Sequence, residues 1–454
     1  MKLFPVLMIA TFSVQSLATL TPSYPRGEEI ISHEVGGGRA PEICIIPKKL
    51  PGAAYSKSDL ENEKELCGFH IGVNAAACGK ENSTNPGVNF FTPEVPKNTP
   101  ANVIQQMVTQ LQQSDCTAKN AQGEEADKDA KYKLSTSCSY SPSLLAYYHM
   151  SRALGNIVNV PPAVLRTMDL GRHIAIGEKS LKDTEGKGLI NDTWRSLMTQ
   201  LRAGRNSNKK DLLFTDDFTQ SYGALQKNPK KEERYQPEFF NGGTDRVAAF
   251  RDSNSIYRSL RTANLTVPRT FNKENVQKMV QLRDAADFIL LDTILGQQDR
   301  FGNIHYIKKY FYTRTNAAGQ FDVKSEKKLE KIPEALRASA VEVKEMLLKD
   351  NDCGVAKENR IAAAGLLNNV AHMSPKTYKA LLALERIIDQ ADVREQFITG
   401  YMFTQKDFET VSGNLKRAAS MLKTKCLSGA LKLDLSLDDH FSGQALPASQ
   451  QCEI

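Results

Sequence analysis

Hydrophobic and polar positions follow strand-like patterns early in the chain and helix-like patterns later. The stretch 69–91, FHIGVNAAACGKENSTNPGVNFF, predicts two strands around a turn, because Asn-Ser-Thr-Asn-Pro-Gly at its centre contains several strong turn formers. Helical spacing follows at 100–113. The segment AKYKLS at 130–135 predicts a short strand after a polar loop.

A second helix is predicted over residues 141–154. It begins at Ser-Pro, carries apolar residues at helical spacing from Leu144 to Leu154, and ends at Gly-Asn. A strand over Val158–Arg166 should follow, interrupted by Pro161-Pro162.

The rest of the chain is predicted to be rich in helices. Residues 180–280 are mixed and charged, and we interpret them as helices and loops. The segment 275–298 is apolar nearly all round from Phe288 to Leu295, which is typical of a buried central helix. The remaining elements are a hairpin around Asn-Ala-Ala-Gly at 303–325, a charged helix at about 327–348, and largely helical structure at 357–425.

The N-terminus has the pattern of a secretory signal peptide. A lysine at position 2 is followed by an apolar run, and small residues precede a predicted cleavage site after Ala18. Residues 19–65, rich in Pro, Gly and charge, predict an extended lead-in. The three glycines at 36–38 favour a linker over a phosphate loop, because no Lys-Ser/Thr pair follows them.

Composition indicates a globular chain of two or three subdomains. The 454 residues are 41% hydrophobic and 24% charged, and the net charge is +7. No arginine-rich arm or aromatic-basic alternation occurs, so we expect no nucleic-acid partner. No later run of about 18 apolar residues occurs, so we expect no transmembrane segment.

The cysteine count favours disulfides. An even number of cysteines in an exported chain is typical of disulfide pairing, because exported compartments are oxidising. Spacing leaves the connectivity open, with Cys67–Cys78 as the best guess for one pair. A metal site built from cysteines or histidines is disfavoured, because no CxxC or HExxH motif occurs. The eight cysteines are 44, 67, 78, 116, 138, 353, 426 and 452.

One loop after the buried helix carries candidate chemistry. It reads DTILGQQDRFGNIHYI at 292–307 and presents Asp299 and Asn303. Phosphoryl transfer needs a carboxylate that orients the incoming hydroxyl, and oxygen ligands for Mg²⁺ or Mn²⁺. Asp350 in LLKDNDCGV offers a second carboxylate. Both loops consist of turn formers, and spacing alone favours a purely structural turn for the first. The second is also open to a structural role, with Cys353 in a disulfide.

DTILGQQDRFGN resembles the catalytic loop of the atypical protein-kinase-like superfamily. This superfamily includes secretory-pathway kinases, type II phosphatidylinositol 4-kinases and HipA-type bacterial kinases. KDNDCGV is similar to its metal motif, and LLAYYHMSRALGNIVNVPPAVLR to its helix C and following strand. The catalytic-loop pattern is matched by Asp292, Gly296, Asp299 and Arg300.

The resemblance implies an α+β, two-lobed fold with a strand-rich N-terminal lobe and a helix-rich C-terminal lobe. It divides the chain into 1–18, 19–65, an N-lobe-like region at 66–170, a C-lobe-like region at 171–426 and a polar tail at 427–454. The resemblance implies Asp299 as the catalytic aspartate and Asn303 and Asp350 as metal ligands. It implies Lys133 as the phosphate ligand, with Lys131 as the next choice. In GKENSTNPG, Lys80 or Ser83 would touch phosphate, unless that segment is a plain hairpin.

This sequence departs from the family pattern in three ways. Asn303 follows Asp299 one residue earlier than usual, and Gln297 stands in place of Asn. The acid of helix C falls at or near Leu144, and residues 135–166 contain no acid. Glu124 or Glu125 in the preceding loop is a candidate substitute.

Two hypotheses follow. The first is an exported kinase-like enzyme, periplasmic or secreted, that uses ATP with Mg²⁺ or Mn²⁺ to phosphorylate a hydroxyl of a protein, lipid or sugar. The second is a catalytically inactive kinase-like binding protein, either a pseudokinase or an envelope interaction module, which the missing acid favours.

Overall fold

The computed structural model describes residues 27–96, 98–117, 128–239, 245–443 and 452. The predicted signal peptide and the two candidate acids Glu124 and Glu125 lie outside the described residues. Among the helices of the described part, none is long and apolar enough to span a membrane.

The described strands form two antiparallel sheets. In the larger sheet the strand order is β1-β2-β6-β7-β5-β4-β3, and in the smaller it is β10-β9-β11, with β8 also pairing with β9. The strands are β1 (Gly27–His33), β2 (Glu42–Pro47), β3 (Ala76–Gly79), β4 (Gly87–Phe91), β5 (Lys128–Lys133), β6 (Ala163–Asp169), β7 (Gln220–Lys227), β8 (Glu233–Arg234), β9 (Ile304–Thr315), β10 (Phe321–Glu326) and β11 (Val341–Leu348).

Helices cover the larger sheet and make up most of the C-terminal half. They are α1 (Lys57–Gly68), α2 (Ala101–Gln113), α3 (Ser141–Ala153), α4 (Leu170–Asp183), α5 (Leu189–Ala203), α6 (Lys210–Leu213), α7 (Arg246–Ser253), α8 (Ser255–Leu260), α9 (Lys273–Leu295), α10 (Glu334–Arg337), α11 (Arg360–Ala363), α12 (Pro375–Ile387), α13 (Ala391–Glu395), α14 (Gln405–Leu427) and α15 (Leu437–Ser442).

Each face of the larger sheet belongs to a different hydrophobic core. One face packs on α4 and α5 around the buried Trp194. The other face packs on α3, which shares its core with α9, the smaller sheet and the C-terminal helices. Helix α3 is buried on all sides, because it packs inside the core that the two sheets share and does not lie on the surface of either sheet. The expected α+β class, strand-rich before helix-rich, is confirmed.

The expectation of an irregular lead-in at 19–65 is wrong for its described part. Residues 27–65 contain β1, β2 and most of α1, and the glycines at 36–38 form the turn between the two strands. The segment EICIIP is buried along its whole length because β2 lies between β1 and β6 and its two faces enter the two different cores. A continuous apolar run of this length is typical of a strand with both faces covered.

Two further predictions are wrong. The region 180–280 contains β7, a central strand whose sequence QSYGALQK has little strand propensity and is held by β5 and β6 on either side. Within the charged helix predicted at about 327–348, only α10 and a 3₁₀ turn at Leu329–Lys331 are helical, and β11 takes the last eight residues. In VEVKEMLL, apolar and polar residues alternate from Val341 to Lys344, and the strand pairs with β9 along its whole length.

The elements with strong periodicity lie where they are predicted. The hairpin β3–β4, the helices α2, α3 and α9, and the hairpin β9–β10 are all present. The strand predicted at Val158–Arg166 begins only after its two prolines, because proline cannot donate a hydrogen bond to a neighbouring strand.

All eight cysteines are paired, so the predicted disulfides are present in the structure. The guess of a Cys67–Cys78 pair is wrong, because Cys67 at the end of α1 packs against β2, whereas Cys78 on β3 faces the end of α2. The pairs are Cys44–Cys67, Cys78–Cys116, Cys138–Cys353 and Cys426–Cys452.

Candidate functional site

Strand β5 places two lysines on the face of the larger sheet that meets the smaller sheet. Side chains alternate between faces along a strand, so Lys131 and Lys133 share one face while Tyr132 enters the core on the other. Both lysines are nevertheless almost fully buried, at 8% and 3% exposure. Burying an ammonium group is costly unless it is paired, so the partners of these two lysines identify the site.

Lys133 is paired with two carboxylates. Its ammonium donates to Asp350 Oδ1 at 2.7 Å and to Asp352 Oδ1 at 2.9 Å. Burial alone would lower the pKa of Lys133, but the two carboxylates outweigh burial and raise the pKa above its ordinary value. Lys133 is therefore a fixed positive charge at the junction of the two sheets.

The loop that carries both carboxylates is held in an unusual backbone conformation. It follows β11, and Asp350 has a φ of +47°, in the left-handed region that residues other than glycine rarely adopt. A single 3₁₀ turn at Asn351–Cys353 comes next. The Cys138–Cys353 disulfide then ties the loop to the segment just before α3.

Asp352 is the functional residue that the sequence did not reveal. Its side chain is fully buried, and its second oxygen accepts a hydrogen bond of 2.6 Å from Ser139 Oγ. Helix α3 carries no acid, and Asp352 supplies the buried carboxylate that orients Lys133. The only available signal was the second acid of Asp-Asn-Asp.

Further lysines surround Asp350. Lys131 and Lys80 both influence Asp350, and with Lys133 as the largest cause they hold the pKa of its carboxyl well below the usual range. Burial and the neighbouring Lys133 lower the pKa of Lys80 to about 8. The site is therefore an ionised carboxylate inside a cluster of ammonium groups.

The loop after α9 lies beside the Asp350 loop, and Arg300 connects them. The buried Arg300 guanidinium donates to both oxygens of Asp292, at 2.7 and 2.9 Å. It also donates to the carbonyl of Lys349 at 3.1 Å and to Asn351 Oδ1 at 2.8 Å. Helix α3 joins the same network, because the Tyr147 hydroxyl donates to Asp292 at 2.7 Å.

Asp299 and Asn303 are brought together next to this network. The Asn303 amide donates to the Asp299 carbonyl at 2.7 Å and to its carboxylate at 3.3 Å. The Lys349 N–H donates to the Asn303 carbonyl at 3.3 Å, so Asn303 lies opposite the residue that precedes Asp350. The Asp299 side chain is 57% exposed, and its Oδ1 lies 3.9 Å from the Arg246 guanidinium.

The turn between β3 and β4 contributes Lys80, but not Ser83, to the lysine cluster around Asp350. Lys80 is held at the start of the turn, where its carbonyl accepts from Trp194 Nε1 at 3.1 Å. Ser83 Oγ instead accepts from the Asn85 N–H at 3.2 Å, a bond within the turn itself. Across the described residues, no hydrogen bond joins Ser83 to the lysine cluster.

The residues present fit a cation that is shared with phosphate oxygens. Among the described residues, no group of three or more His, Cys, Asp or Glu side chains forms a ready-made metal site. Mg²⁺ commonly takes one or two carboxylates and completes its shell with phosphates and water. Asp350 is 35% exposed. Because the Asn303 amide nitrogen is bound to Asp299, the Asn303 Oδ1 is the atom of that side chain suited to a cation.

Two cavities lie elsewhere on the larger sheet. One of about 380 Å³ lies beside β3 and α4, where Lys179 pairs with Asp115. Another of about 510 Å³ is lined by Lys49, Tyr55 and Glu63, and its Lys49 and Glu63 form an ion pair at 3.4 Å. The charged groups named here are paired with each other, so we assign the candidate site to the lysine cluster around Asp350.

No family model and no curated protein matches the chain. Among solved structures, the chain is similar to one of the Golgi casein kinase with Mn/ADP bound, at 12% identity and a TM-score of 0.41, with 81% of this chain and 76% of that chain covered. A second structure of the Golgi casein kinase has 13% identity and a TM-score of 0.41, with 81% and 75% covered. At this identity, residue roles are assigned from the geometry of this chain.

Proposed function

We propose that the chain is a kinase-like phosphotransferase that uses ATP with Mg²⁺ or Mn²⁺ and phosphorylates a hydroxyl group. The observation that carries the proposal is the convergence of Lys133, Lys80 and Asp350 beside the loop of Asp299 and Asn303. Phosphoryl transfer is catalysed mainly by positioning and electrostatic stabilisation, which this set of groups is suited to supply.

Each residue has a distinct part in this proposal. Lys133 and Lys80 bind phosphate oxygens, and Asp350 with Asn303 would hold the cation, which neutralises charge on the phosphates. Lys133 pairs with both Asp350 and Asp352. Asp352 would therefore still orient Lys133 if the Asp350 carboxylate bound a cation. Asp299 would orient the acceptor hydroxyl and receive its proton.

Export is part of the proposal. Four disulfides are typical of chains that fold in an oxidising compartment, and the N-terminal pattern of a signal peptide agrees with this. We propose a secreted or periplasmic location and an acceptor hydroxyl on a protein, lipid or sugar.

A binding protein without turnover is the second candidate function. Two observations favour it: α3 carries no acid, and Lys133 occupies the Asp350 carboxylate in the described conformation. Such a protein would bind nucleotide through the same lysines and release it unchanged.

The first experiment measures thermal unfolding of the mature, oxidised protein with ATP and either Mn²⁺ or Mg²⁺. A ligand at about 100-fold excess over its dissociation constant stabilises the folded state by about 2.7 kcal/mol. We expect a metal-dependent rise in the unfolding midpoint that is lost in Asp350→Ala and kept in Asp392→Ala, an exposed control on α13. No rise with any nucleotide would rule out the enzyme.

A second measurement separates the two candidate functions. We expect wild-type protein to hydrolyse or transfer the terminal phosphate slowly, and Asp299→Asn to keep nucleotide binding while losing this turnover. Binding without turnover in the wild type would instead favour the binding protein.

A further inference from the structure

A row of three polar side chains lies next to Lys133 on the same face of the larger sheet. Cross-strand partners in an antiparallel sheet point to the same face, and Lys131 on β5 lies opposite Asn89 on β4 and Gln226 on β7. Along β5, Lys131 is two residues from Lys133, so their Cα atoms are about 7 Å apart. The row therefore continues the candidate site toward β7.

In the residues that the structure describes, two of these three side chains have a buried polar atom without a hydrogen-bond partner, and the third, Lys131, has no carboxylate beside it. Gln226 is 3% exposed, and its Nε2 has no hydrogen-bond partner among the described residues; the same is true of Asn89 Oδ1. Within the described part of the chain, no carboxylate lies within 4 Å of the Lys131 ammonium, whereas Lys133 beside it has two. Buried polar groups in proteins usually have hydrogen-bond partners, so neighbouring polar groups without partners indicate a ligand site.

The charges around Lys131 specify the sign of that ligand. After burial, the strongest electrostatic influences on Lys131 are Lys349 and Asp350, followed by Lys133 and Lys128. With Lys80, five lysines face the carboxylates of Asp350, Asp352 and Glu232, and Glu232 pairs with Lys349 through one of its oxygens. A site with this excess of positive charge binds an anion.

We infer that Lys131 and Gln226 form a second phosphate subsite beside the Lys133–Asp350 site, flanked by Asn89. Gln226 Nε2 and the Lys131 ammonium would donate to phosphate oxygens, and Asn89 Oδ1 would accept from a hydroxyl of the ligand. The ligand class is then a polyphosphate, with at least two phosphate groups spread along β5. This inference deepens the proposed function, since it extends the same site.

The test uses the mature, oxidised protein and sodium tripolyphosphate without metal, in the presence of a chelator and at constant ionic strength. Unfolding midpoints across a titration yield an apparent dissociation constant. We expect tripolyphosphate to bind the wild type at least about tenfold more tightly than orthophosphate, because it reaches both subsites. Equal affinities would overturn the inference.

Lys131→Met is the decisive variant, with the exposed Lys406→Met as a control of equal charge change. Loss of a charge-assisted contact should weaken tripolyphosphate binding by about 10- to 100-fold in Lys131→Met and leave it unchanged in the control. Without ligand, Lys131→Met should unfold at the same or a higher temperature, because it removes a buried amine that has no close carboxylate partner. Unchanged binding in Lys131→Met would overturn the inference.

Gln226→Leu provides a second, uncharged test and should weaken tripolyphosphate binding severalfold. Asp350→Ala separates this inference from the proposed function. It should abolish the metal-dependent effect of ATP but keep or strengthen metal-free tripolyphosphate binding, because it removes a negative charge from the cluster. Tripolyphosphate binding without any effect of ATP and metal would refute the proposed function alone, whereas the reverse result would refute the subsite alone.

Discussion

At the scale of single residues, the site depends on how one buried ammonium is shared. Lys133 has two carboxylate partners, one fully buried and one partly exposed. The buried partner, Asp352, is also bound by Ser139, so it is the more rigid of the two. This division leaves Asp350 available to a ligand while the position of Lys133 is kept.

Asp352→Asn should therefore be costly to stability. Removing one charge of a buried pair leaves the other poorly compensated, and we expect the free energy of unfolding to fall by about 3 kcal/mol. Urea denaturation of the oxidised protein measures this loss. Asp350→Asn removes the more exposed partner, so its loss should be smaller; equal losses would contradict the different roles of the two acids.

The buried Lys131 should make stability depend on pH. Burial, and then Lys349 with Lys133 and Lys128 against Asp350, lower its pKa from 10.5 to about 6. Between these values the unfolded chain binds one more proton at this residue than the folded chain does. Its contribution to the free energy of unfolding therefore rises with pH, by no more than about 1.4 kcal/mol per unit.

Lys131→Met removes this dependence. The free energy of unfolding of the variant minus that of the wild type should be largest near pH 6 and decrease toward pH 9. Denaturation at several pH values measures the difference, with Lys406→Met as the exposed control. A difference that does not change with pH would show that Lys131 keeps its charge in the folded protein.

At the scale of elements, helix α3 and the Asp350 loop form one unit. The Cys138–Cys353 disulfide joins them, the Tyr140 N–H donates to the Asp352 carbonyl at 2.8 Å, and Ser143 Oγ donates to the Asn351 carbonyl at 2.6 Å. The disulfide closes a loop of 215 residues, which includes β6, β7 and α9. It therefore fixes β5 and α3 relative to the loop that follows the smaller sheet.

Replacing both Cys138 and Cys353 with Ser should lower stability and loosen the site together. A disulfide of this span contributes about 2–5 kcal/mol, and its loss should also weaken the metal-dependent binding of ATP. The matched control replaces Cys426 and Cys452, at the C-terminal end of the chain, and should lower stability without changing ATP affinity. Equal effects on binding in both variants would contradict a specific role for the first disulfide.

At the scale of the whole molecule, the site exists only because two sheets meet. The larger sheet supplies Lys131 and Lys133, and the smaller sheet supplies Asp350 at the end of β11 and Asn303 at the start of β9. Asp292 of helix α9 pairs with Arg300, which connects the loop after α9 to the Asp350 loop. The candidate site therefore belongs to the junction of the two sheets and not to either sheet alone.

A thiol count tests the oxidised state of the whole chain. With all eight cysteines paired, thiol labelling of the unfolded, unreduced protein should attach no label, and labelling after reduction should attach eight. Intact mass spectrometry distinguishes these states. Labels on the unreduced protein would indicate free cysteines and would weaken the proposal of export.

Much of the fold was predictable where a local pattern is strong. Helix α9 is apolar nearly all round, and the β9–β10 hairpin has clear turn residues, so both follow from the sequence. Strand β7 was missed because its own residues favour a strand only weakly, and its neighbours in the sheet determine its conformation. Strand β11 does not follow from the sequence, because its charged residues favour a charged helix.

The sequence by itself determined which chemical groups are present: the acids in two turn-forming loops, the lysines of β5 and an even number of cysteines. Only the tertiary structure decided which of them meet. Lys133 and Asp352 are 219 residues apart in the chain, and Cys67 pairs with Cys44 rather than with Cys78. Local propensities act over a few neighbouring residues, whereas a buried charge takes its partner from whatever the packed fold places beside it.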